Sequence, residues 1–293
     1  MWLVYAAAAA VCFGFRGILY QWTSRRPIDR NLLLLGVYLC GALISFVINL
    51  FLGQAWTAGA LLGLLMGLFS FTSNAAMYKG FAVGKTSLIA MLIGMPPIVV
   101  VALSYLLWGE KLSGGQWAAF GVIFTGLVLL RWSGDFTLSR LNGIQWGILA
   151  MFTFAFTDVS SKQATLLNGN TFPTLALMYT TGSLLFLLLW LKGRKRTTGP
   201  AAQPEPDSPQ AVWPPGKTFF WGMTVGLTNI AGMILILPAF RLGITGLVSA
   251  VIAMNVLMIL LYARVFLKEK LSRLELTGVL CTFAGVLCLR LLG

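Results

Sequence analysis

An internal repeat is the feature of this sequence that most constrains its fold. Residues 80–131 align without a gap with residues 239–290, at a constant spacing of 159 positions. The clearest match is the tetrapeptide Glu-Lys-Leu-Ser, which occupies positions 110–113 in the first copy and 269–272 in the second. In both copies it lies between two long apolar runs, as a polar hairpin joining two membrane helices would. The chain is therefore interpreted as two related halves.

The composition indicates a membrane protein. Of the 293 residues, 58% are hydrophobic and only 10% are charged, and a water-soluble protein with this balance could not cover its apolar surface. We therefore predict an all-α, polytopic membrane protein. The net charge of +13 is not concentrated in a basic patch with interleaved aromatic residues, which disfavours nucleic acid as a partner.

The sequence indicates neither a cofactor nor a metal ion. The four cysteines lie inside apolar runs at spacings that match no metal motif, where a thiol is usually a small apolar filler. The sequence has no histidine, and we find no nucleophile–base pair and no phosphate-binding loop in it. An enzyme is accordingly disfavoured. The cysteines are Cys12, Cys40, Cys281 and Cys288.

Ten apolar stretches are each long enough to cross a bilayer core of ~30 Å, and they fall into two sets of five. We number them spans 1 to 10. They cover residues 2–22, 32–52, 58–78, 86–108 and 115–131 in the first half, and 143–165, 172–191, 219–240, 245–267 and 274–292 in the second. The expected halves are residues 1–132 and 133–293, and the second contains a proline-rich, flexible linker at 192–216.

The odd number of spans in each half determines how the halves lie in the membrane. The second half must enter from the opposite side, so the two are expected to form inverted repeats around a central cavity, an arrangement that is the usual basis of alternating access in transporters. A membrane scaffold that transports nothing is the alternative. The expected location is the cell membrane, that is, the inner or cytoplasmic membrane. Lysine and arginine concentrate in the loops that follow spans 1, 3, 5, 7 and 9, which predicts that these loops are cytoplasmic and that both termini lie on the outer side.

The repeated pattern resembles the EamA-type repeat of the drug/metabolite transporter superfamily. Each copy has an apolar helix with a central break, then Glu-Lys-Leu-Ser beginning at Glu110 or Glu269, then a helix with a late glycine at Gly126 or Gly285. The resemblance implies a ten-helix carrier with a central cavity that moves small organic solutes, most often outward. Amino acids, other metabolites and lipophilic drugs are the solute classes that it implies.

Span 4 is the predicted gating element. The span contains Gly94, Pro96 and Pro97 near its middle. A proline removes a backbone donor and kinks a helix, so a break is expected there. The second copy has Asn255 and Val256 where the first has the two prolines. Spans 4 and 9 are therefore not expected to kink equally.

Two charged residues are the clear cases of a charge well inside a predicted span, where it costs about 2.5–3.5 kcal/mol. Arg16 is on span 1 and Asp158 is on span 6, which are equivalent elements of the two halves. In one interpretation they form a structural ion pair, or Asp158 pairs with Lys162 one turn on. In the other they line the cavity, where Arg16 holds a substrate carboxylate and Asp158 a substrate ammonium. Asp158 is also the one carboxylate that lies inside a span and away from its edges, and hence the candidate for proton coupling.

Uncharged polar residues on spans 3, 6, 7 and 8 extend this candidate site. Such groups either bridge helices by hydrogen bonds or line a wet cavity. The set is Asn74, Tyr78, Ser161, Tyr179 and Asn229. The glutamates of the two hairpins are instead expected at the membrane interface, each bonded to the adjacent lysine or to the backbone of the next helix.

Together these residues predict a carrier of a small organic metabolite, in first place an amino acid or similar zwitterion, that works as an exporter. An efflux carrier for lipophilic drugs is the second hypothesis. The scaffold hypothesis predicts a collapsed interior in which Arg16 and Asp158 are directly paired. The expected partners are a small-molecule substrate and the lipid bilayer, and a monomer is sufficient for the predicted activity.

Overall fold

The computed structural model describes residues 1–24, 26–83, 86–131, 143–197, 213–266, 268 and 272–292, which form twelve helices and no strand within those ranges. A short 3₁₀ turn, Ala58–Leu61, leads into the third helix. The helices are α1 Trp2–Ser24, α2 Arg30–Leu52, α3 Leu62–Val83, α4 Thr86–Ile93, α5 Pro96–Trp108, α6 Gly114–Arg131, α7 Ile144–Leu166, α8 Thr171–Thr197, α9 Pro215–Leu242, α10 Thr245–Ala253, α11 Asn255–Phe266 and α12 Arg273–Leu292.

Eight segments of the described chain are long and apolar enough to cross a membrane. They correspond to spans 1 to 4 and 7 to 10 of the sequence prediction. Helix α6, the predicted span 5, is apolar but shorter, at Gly114–Leu130. Helix α7, the predicted span 6, has 23 residues but is not among the eight, and it carries Asp158 and Lys162 among several serines and threonines. The prediction of a polytopic, all-helical membrane protein agrees with these segments.

Both broken spans have the same backbone hydrogen bonds at the break. In the first half Met95 N–H donates to Leu92 O at 3.0 Å, and Met95 O accepts from Ile98 N–H at 3.1 Å. In the second half Met254, which is 159 positions further on, makes the equivalent bonds to Val251 and Leu257 at 3.1 and 2.9 Å. Three-residue turn bonds interrupt an α-helix without any proline, so span 9 is also broken, while unequal kinking of spans 4 and 9 stays a prediction.

The predicted linker at 192–216 is shorter in the structure than in the sequence prediction. Helix α8 continues to Thr197 and α9 begins at Pro215, so both ends of the predicted linker are helical. The remaining positions, 198–212, lie outside the described residues. Trp213, just before α9, donates its backbone N–H to Pro27 O at 3.1 Å, which ties the start of α9 to the α1–α2 turn.

Helices α2 and α8 pack against each other through two matching tyrosine–glycine contacts. A methyl group at Gly41 would lie 2.5 Å from the Tyr179 ring, and one at Gly182 would lie 2.2 Å from the Tyr38 ring. The two tyrosines are fully buried, and their ring centroids are 5.7 Å apart. Tyr179 lies 141 positions after Tyr38, and Gly182 lies 141 positions after Gly41. The contact is therefore reciprocal, and because the paired positions run in opposite directions the two helices are antiparallel.

Helices α6 and α12 repeat this arrangement. A methyl group at Gly126 would lie 2.7 Å from Thr282, and one at Gly285 would lie 2.5 Å from Ile123. These four positions are related in pairs by the repeat spacing of 159. The small residues let the two backbones approach closely, as they do in many membrane helix pairs, and the reciprocal contacts again run antiparallel.

Two small-xxx-small motifs bring the halves together on either side of the α2–α8 pair. A methyl group at Gly63 on α3 would lie 2.2 Å from Thr174 O on α8, and one at Gly222 on α9 would lie 2.2 Å from Leu33 O on α2. One turn further along, Gly67 meets Met178 O and Gly226 meets Val37 O in the same way. Each contact in one half has its counterpart in the other.

The close packing of α6 predicts opposite effects for two alanine substitutions on that helix. Gly126→Ala should lower stability by about 1–3 kcal/mol, because the added methyl meets backbone atoms that have to move. Gly121→Ala should raise it by about 0.5–1 kcal/mol, because nothing lies within 4 Å of the added methyl and alanine favours the helix. Thermal unfolding of the two purified variants in the same detergent checks this. Equal shifts would contradict the packing described.

Candidate functional site

A central cavity of about 740 Å³ lies between the two halves. Its walls come from α1, α3, α4–α5, α7, α9 and α10–α11, with single residues from α2, α6 and α8. We call the end of the bundle where α1 and α3 finish and α2 begins the basic end, because Arg26, Arg30, Lys79, Lys217 and Arg273 lie there. The cavity lining reaches Gln21 and Arg30 at the basic end. Towards the opposite end it stops at Ser249, one turn inside the start of α10.

Arg16 projects into this cavity from α1 and is held from two sides. Its Nη1 donates to Asn229 Oδ1 at 2.6 Å, and its guanidinium lies 4.6 Å from the centroid of the Phe13 ring. Asn229 in turn donates through Nδ2 to Tyr179 Oη at 3.1 Å. A guanidinium has five N–H donors in a planar fork, so this geometry orients a cation whose other donors can reach a ligand.

Asp158 lines the cavity from α7, and Ser249 Oγ on α10 donates to its Oδ2 at 2.6 Å. Neither of the two ion pairs considered for this carboxylate is formed. Among the described residues the one salt bridge joins Lys162 to Glu110, which leaves Arg16 with Asn229 and Asp158 with Ser249. The cavity therefore contains an arginine and a carboxylate that do not form an ion pair with each other.

A polar face of α3 forms another part of the wall. Asn74 Nδ2 donates to Tyr38 Oη at 3.1 Å and to Ser70 O at 2.8 Å, and the Tyr38 and Ser70 hydroxyls are 2.5 Å apart. Tyr78, one turn from Asn74, meets the Tyr20 ring edge-on with centroids 6.3 Å apart. Both Asn74 and Tyr78 line the cavity.

The remaining predicted site residues divide into those at the wall and those behind it. Pro96 and Pro97 line the cavity at the start of α5, and Gly94 precedes them in the break. Ser161 is fully buried and donates to Thr157 O at 2.8 Å. Tyr179 is also fully buried, so it meets the cavity only through Asn229, whose amide it helps to orient.

Sequence reasoning missed Ser249 and Tyr20, which both line the cavity. Ser249 is a hydroxyl residue one turn after Thr245 in an otherwise apolar α10, and such a residue inside a span is a signal for a helix-bridging bond. Tyr20 was overlooked because it lies near the end of α1, where aromatic residues ordinarily mark the membrane interface.

A charged cluster lies at the end of the bundle opposite the basic end. Lys162 Nζ lies 3.1 Å from Glu110 Oε1 and donates to Phe240 O at 2.8 Å and Gly243 O at 3.0 Å. The other oxygen of Glu110, Oε2, accepts from Thr245 N–H at 2.8 Å, and Thr245 Oγ1 donates to Oε1 at 3.0 Å. We call these five residues the end clamp. The lysine meets the last carbonyls of α9 and the glutamate the first N–H of α10, so each charge is matched to a helix terminus.

The end clamp corrects the prediction for Glu110. That residue was expected to bond to the adjacent lysine, Lys111, or to the next helix along the chain. Instead it reaches the second half, because the hairpin after α5 lies against the α9–α10 turn. The equivalent Glu269 lies outside the described residues. No group of three or more acidic or cysteine side chains in the described residues could hold a metal ion.

Comparison with known proteins gives a family and a fold. A model of the EamA-like transporter family matches the chain in two segments, residues 1–132 and 141–291. No curated protein matches the chain significantly. A solved structure described only as "Crystal structure of protein" has a similar fold. The match covers 99% of this chain and 96% of that one, with a TM-score of 0.74 and 15% sequence identity. At that identity the likeness shows the fold alone.

Proposed function

The chain belongs to the EamA-like transporter family, and from that premise we propose that it exports a small zwitterionic metabolite, such as an amino acid, by alternating access. Membership confirms the resemblance noted in the sequence, and it makes the protein a membrane transporter with a small-molecule substrate. The class of solute, the direction and the mechanism are the proposed part.

The observation that carries the zwitterion is the separation of Arg16 from Asp158 in one cavity. The arginine is oriented by Asn229 at 2.6 Å and the aspartate by Ser249 at 2.6 Å, so each charge has a neutral partner. Charges inside a membrane bundle that face a cavity instead of each other are typical of ligand sites. A carboxylate on the guanidinium and an ammonium on the aspartate would neutralise both.

The proposed architecture is ten spans in two inverted repeats of five. It is supported by the reciprocal contacts of α2 with α8 and of α6 with α12, since both pairs join equivalent helices in antiparallel orientation. An axis in the membrane plane relates equivalent helices in this way, whereas repeats inserted the same way up would have them parallel. The short α6 and the polar α7 complete the count of ten.

The proposed direction rests on which end of the cavity is closed. The end clamp lies one turn beyond the last lining residue of α10, Ser249, whereas the lining reaches Gln21 and Arg30 at the basic end; we infer that the clamp closes its end. By the distribution of Lys and Arg the basic end is cytoplasmic and both termini are outside. This conformation would therefore load solute from the cytoplasm, as an exporter does. The matching breaks at Met95 and Met254, with Gly94, Pro96 and Pro97 beside the first, are the proposed gates.

Two other functions make different predictions for the same cavity. A non-transporting scaffold predicts a filled interior with Arg16 bonded to Asp158, which is contrary to the cavity and to their actual partners. A carrier of lipophilic drugs is favoured by the largely apolar wall, which includes Met77, Phe81 and Ile252. The drug-carrier hypothesis, however, assigns no role to the charges of Arg16 and Asp158.

Transport by purified protein in liposomes tests the proposal. Wild-type protein should take up at least one labelled amino acid from a panel of the twenty, and an imposed pH gradient should drive its accumulation. Asp158→Asn should abolish accumulation driven by the pH gradient and also weaken binding of the amino acid, because the variant loses both the candidate proton site and the partner of the substrate ammonium. Transport of cationic dyes in place of every amino acid would overturn the zwitterion assignment.

A further inference from the structure

A second groove, also of about 740 Å³, opens at the basic end between α2, α3, α7 and α8. It touches the central cavity only at Arg30 and Tyr78, which line both. Its rim is formed by the α1–α2 turn and the ends of α3 and α7, so it lies where the helices leave the membrane. Nothing in the transport cycle proposed above uses this groove.

Three cations surround the rim of the groove: Arg26, Arg30 and Lys79. All three are exposed, and each lies over an aromatic ring. The guanidinium of Arg26 is 4.6 Å from the Trp22 ring, that of Arg30 is 5.6 Å from the Tyr78 ring, and the Lys79 ammonium is 5.1 Å from the Trp146 ring. Within the described residues none of these cations forms a salt bridge, the one such bridge being in the end clamp. The rim therefore carries concentrated positive charge.

Among the described residues that line the groove, the one carboxylate is Asp29, and its side chain is bonded to the backbone. Its Oδ1 accepts from Asn31 N–H at 2.9 Å and from Leu32 N–H at 3.2 Å. It thus caps the N-terminus of α2, where a negative charge is stabilised by the helix dipole. Asp29 remains close enough to moderate the rim charge, but three cations face this one anion.

Below the rim the lining becomes apolar with depth. On α3 it runs from Lys79 through Ala75 to Phe71, a distance of about 12 Å at 1.5 Å per residue. The facing walls are Leu34, Leu149 and Leu189. Thr72 Oγ1 also belongs to this depth, and it donates to Leu68 O of its own helix at 2.8 Å. The groove is thus cationic at its rim, where the helices leave the membrane, and apolar below the rim.

We propose that this groove binds an anionic phospholipid of the leaflet at the basic end. The phosphate sits among Arg26, Arg30 and Lys79, and one acyl chain runs inward along Phe71 and the leucine walls. Basic pockets between membrane helices on the cytoplasmic side bind anionic head groups through this combination of charge and position. A free phosphate would use the rim alone and leave 12 Å of apolar wall in contact with water, which is unfavourable.

Native mass spectrometry of the full chain in detergent, titrated with phosphatidylglycerol, tests the site. Wild-type protein should retain one phosphatidylglycerol at least tenfold more strongly than phosphatidylcholine. The double variant Arg26→Gln/Lys79→Gln should lose about thirtyfold in affinity for phosphatidylglycerol, at roughly a factor of five for each surface cation. Arg30 is left intact because it also borders the central cavity.

The matched control is Lys217→Gln/Arg273→Gln, which removes two exposed cations from the same end but outside the groove. It should bind phosphatidylglycerol as the wild type does. Ala75→Leu, which narrows the apolar part without changing charge, should weaken phosphatidylglycerol binding while leaving thermal stability within a few degrees. Equal loss in the two charge variants, or displacement of the lipid by millimolar inorganic phosphate, would overturn the site.

Discussion

Lys162→Met should expose the central cavity to the side of the membrane opposite the basic end. The substitution leaves the Glu110 carboxylate without its cation at a largely buried position, since the two side chains are 9% and 16% exposed. Breaking one partner of a buried pair costs about 3–5 kcal/mol. At 1.4 kcal/mol for each factor of ten, the balance between the conformation closed at this end and the one open to it should shift at least about a hundredfold.

Labelling of a cavity cysteine measures that shift. Ala253 lines the cavity, so Ala253→Cys in a background without the four native cysteines reports access from either side. A membrane-impermeant maleimide applied from the side of the end clamp should react slowly with the otherwise unchanged protein and much faster with the Lys162→Met variant. Lys111→Gln removes an exposed charge from the same hairpin, beside Glu110, and should leave the rate unchanged.

The double variant Glu110→Gln/Lys162→Met separates loss of the clamp from an unpaired charge. Removing both charges leaves no buried ion without a partner, so the effect of the double variant should be smaller than the sum of the effects of Lys162→Met alone and Glu110→Gln alone. If Lys162→Met, Glu110→Gln and the double variant all leave the labelling rate of Ala253→Cys unchanged, these residues do not hold the end closed.

The end clamp and the binding charges are joined by two helices. On α7, Asp158 and Lys162 are one turn apart, and on α10 Ser249 and Thr245 are one turn apart. Asp158 bonds to Ser249 in the cavity, and Lys162 and Thr245 both bond to Glu110 at the closed end. A solute ammonium that competes with Ser249 for the aspartate therefore acts on the helix pair that carries the clamp. This gives the proposed cycle a direct route from binding to opening.

The sequence predicted the helices well because each depends on local apolar length and on proline. The break at Pro96 was visible for that reason. The break at Met254 was expected only from the repeat, because the second copy has Asn255 and Val256 in place of the two prolines. Met254 makes three-residue turn bonds like those of Met95, and the two residues lie at equivalent positions of the repeat. The repeat, and not a local helix breaker, is therefore the sequence signal for the second break.

The tyrosine–glycine pairs were readable in the sequence but fell outside the repeat as it was aligned. Tyr38-x-x-Gly41 and Tyr179-x-x-Gly182 are 141 positions apart, whereas the hairpins are 159 apart. The difference of 18 arises between spans 7 and 8, where the second half carries its long insertion. An alignment that allowed a gap there would have related spans 2 and 7 directly.

The partners of the buried charges could not be predicted in the same way. Arg16 and Asp158 were recognised because a charge inside a span is expensive. That the arginine bonds to Asn229, and that Lys162 bonds to Glu110 and not to Asp158, depends on which helices are neighbours across the two halves. Such contacts span 213 and 52 positions of sequence, and no local pattern encodes them.

Replacement of Arg16 should remove recognition of the substrate carboxylate. A hydrogen bond to a charged group contributes about 1.5–3 kcal/mol, so Arg16→Gln should weaken binding of the transported amino acid by about ten- to a hundredfold. Arg16→Lys should recover only part of this, because an ammonium lacks the planar fork that Asn229 and Phe13 hold in place. Arg241→Gln, an exposed arginine at the end of α9, is the control and should bind normally.

Analogues of the substrate make the assignment specific to one functional group. Wild-type protein should bind the amino acid far more tightly than the amine that lacks its carboxylate, since a site built for a charged group rejects a ligand without it. Arg16→Gln should bind the two equally, whereas a variant damaged only in packing would lose affinity for both. Isothermal titration with the acid and the amine distinguishes these results. If Arg16→Gln keeps the wild-type preference, the guanidinium does not hold the carboxylate and the zwitterion has to be oriented by another group.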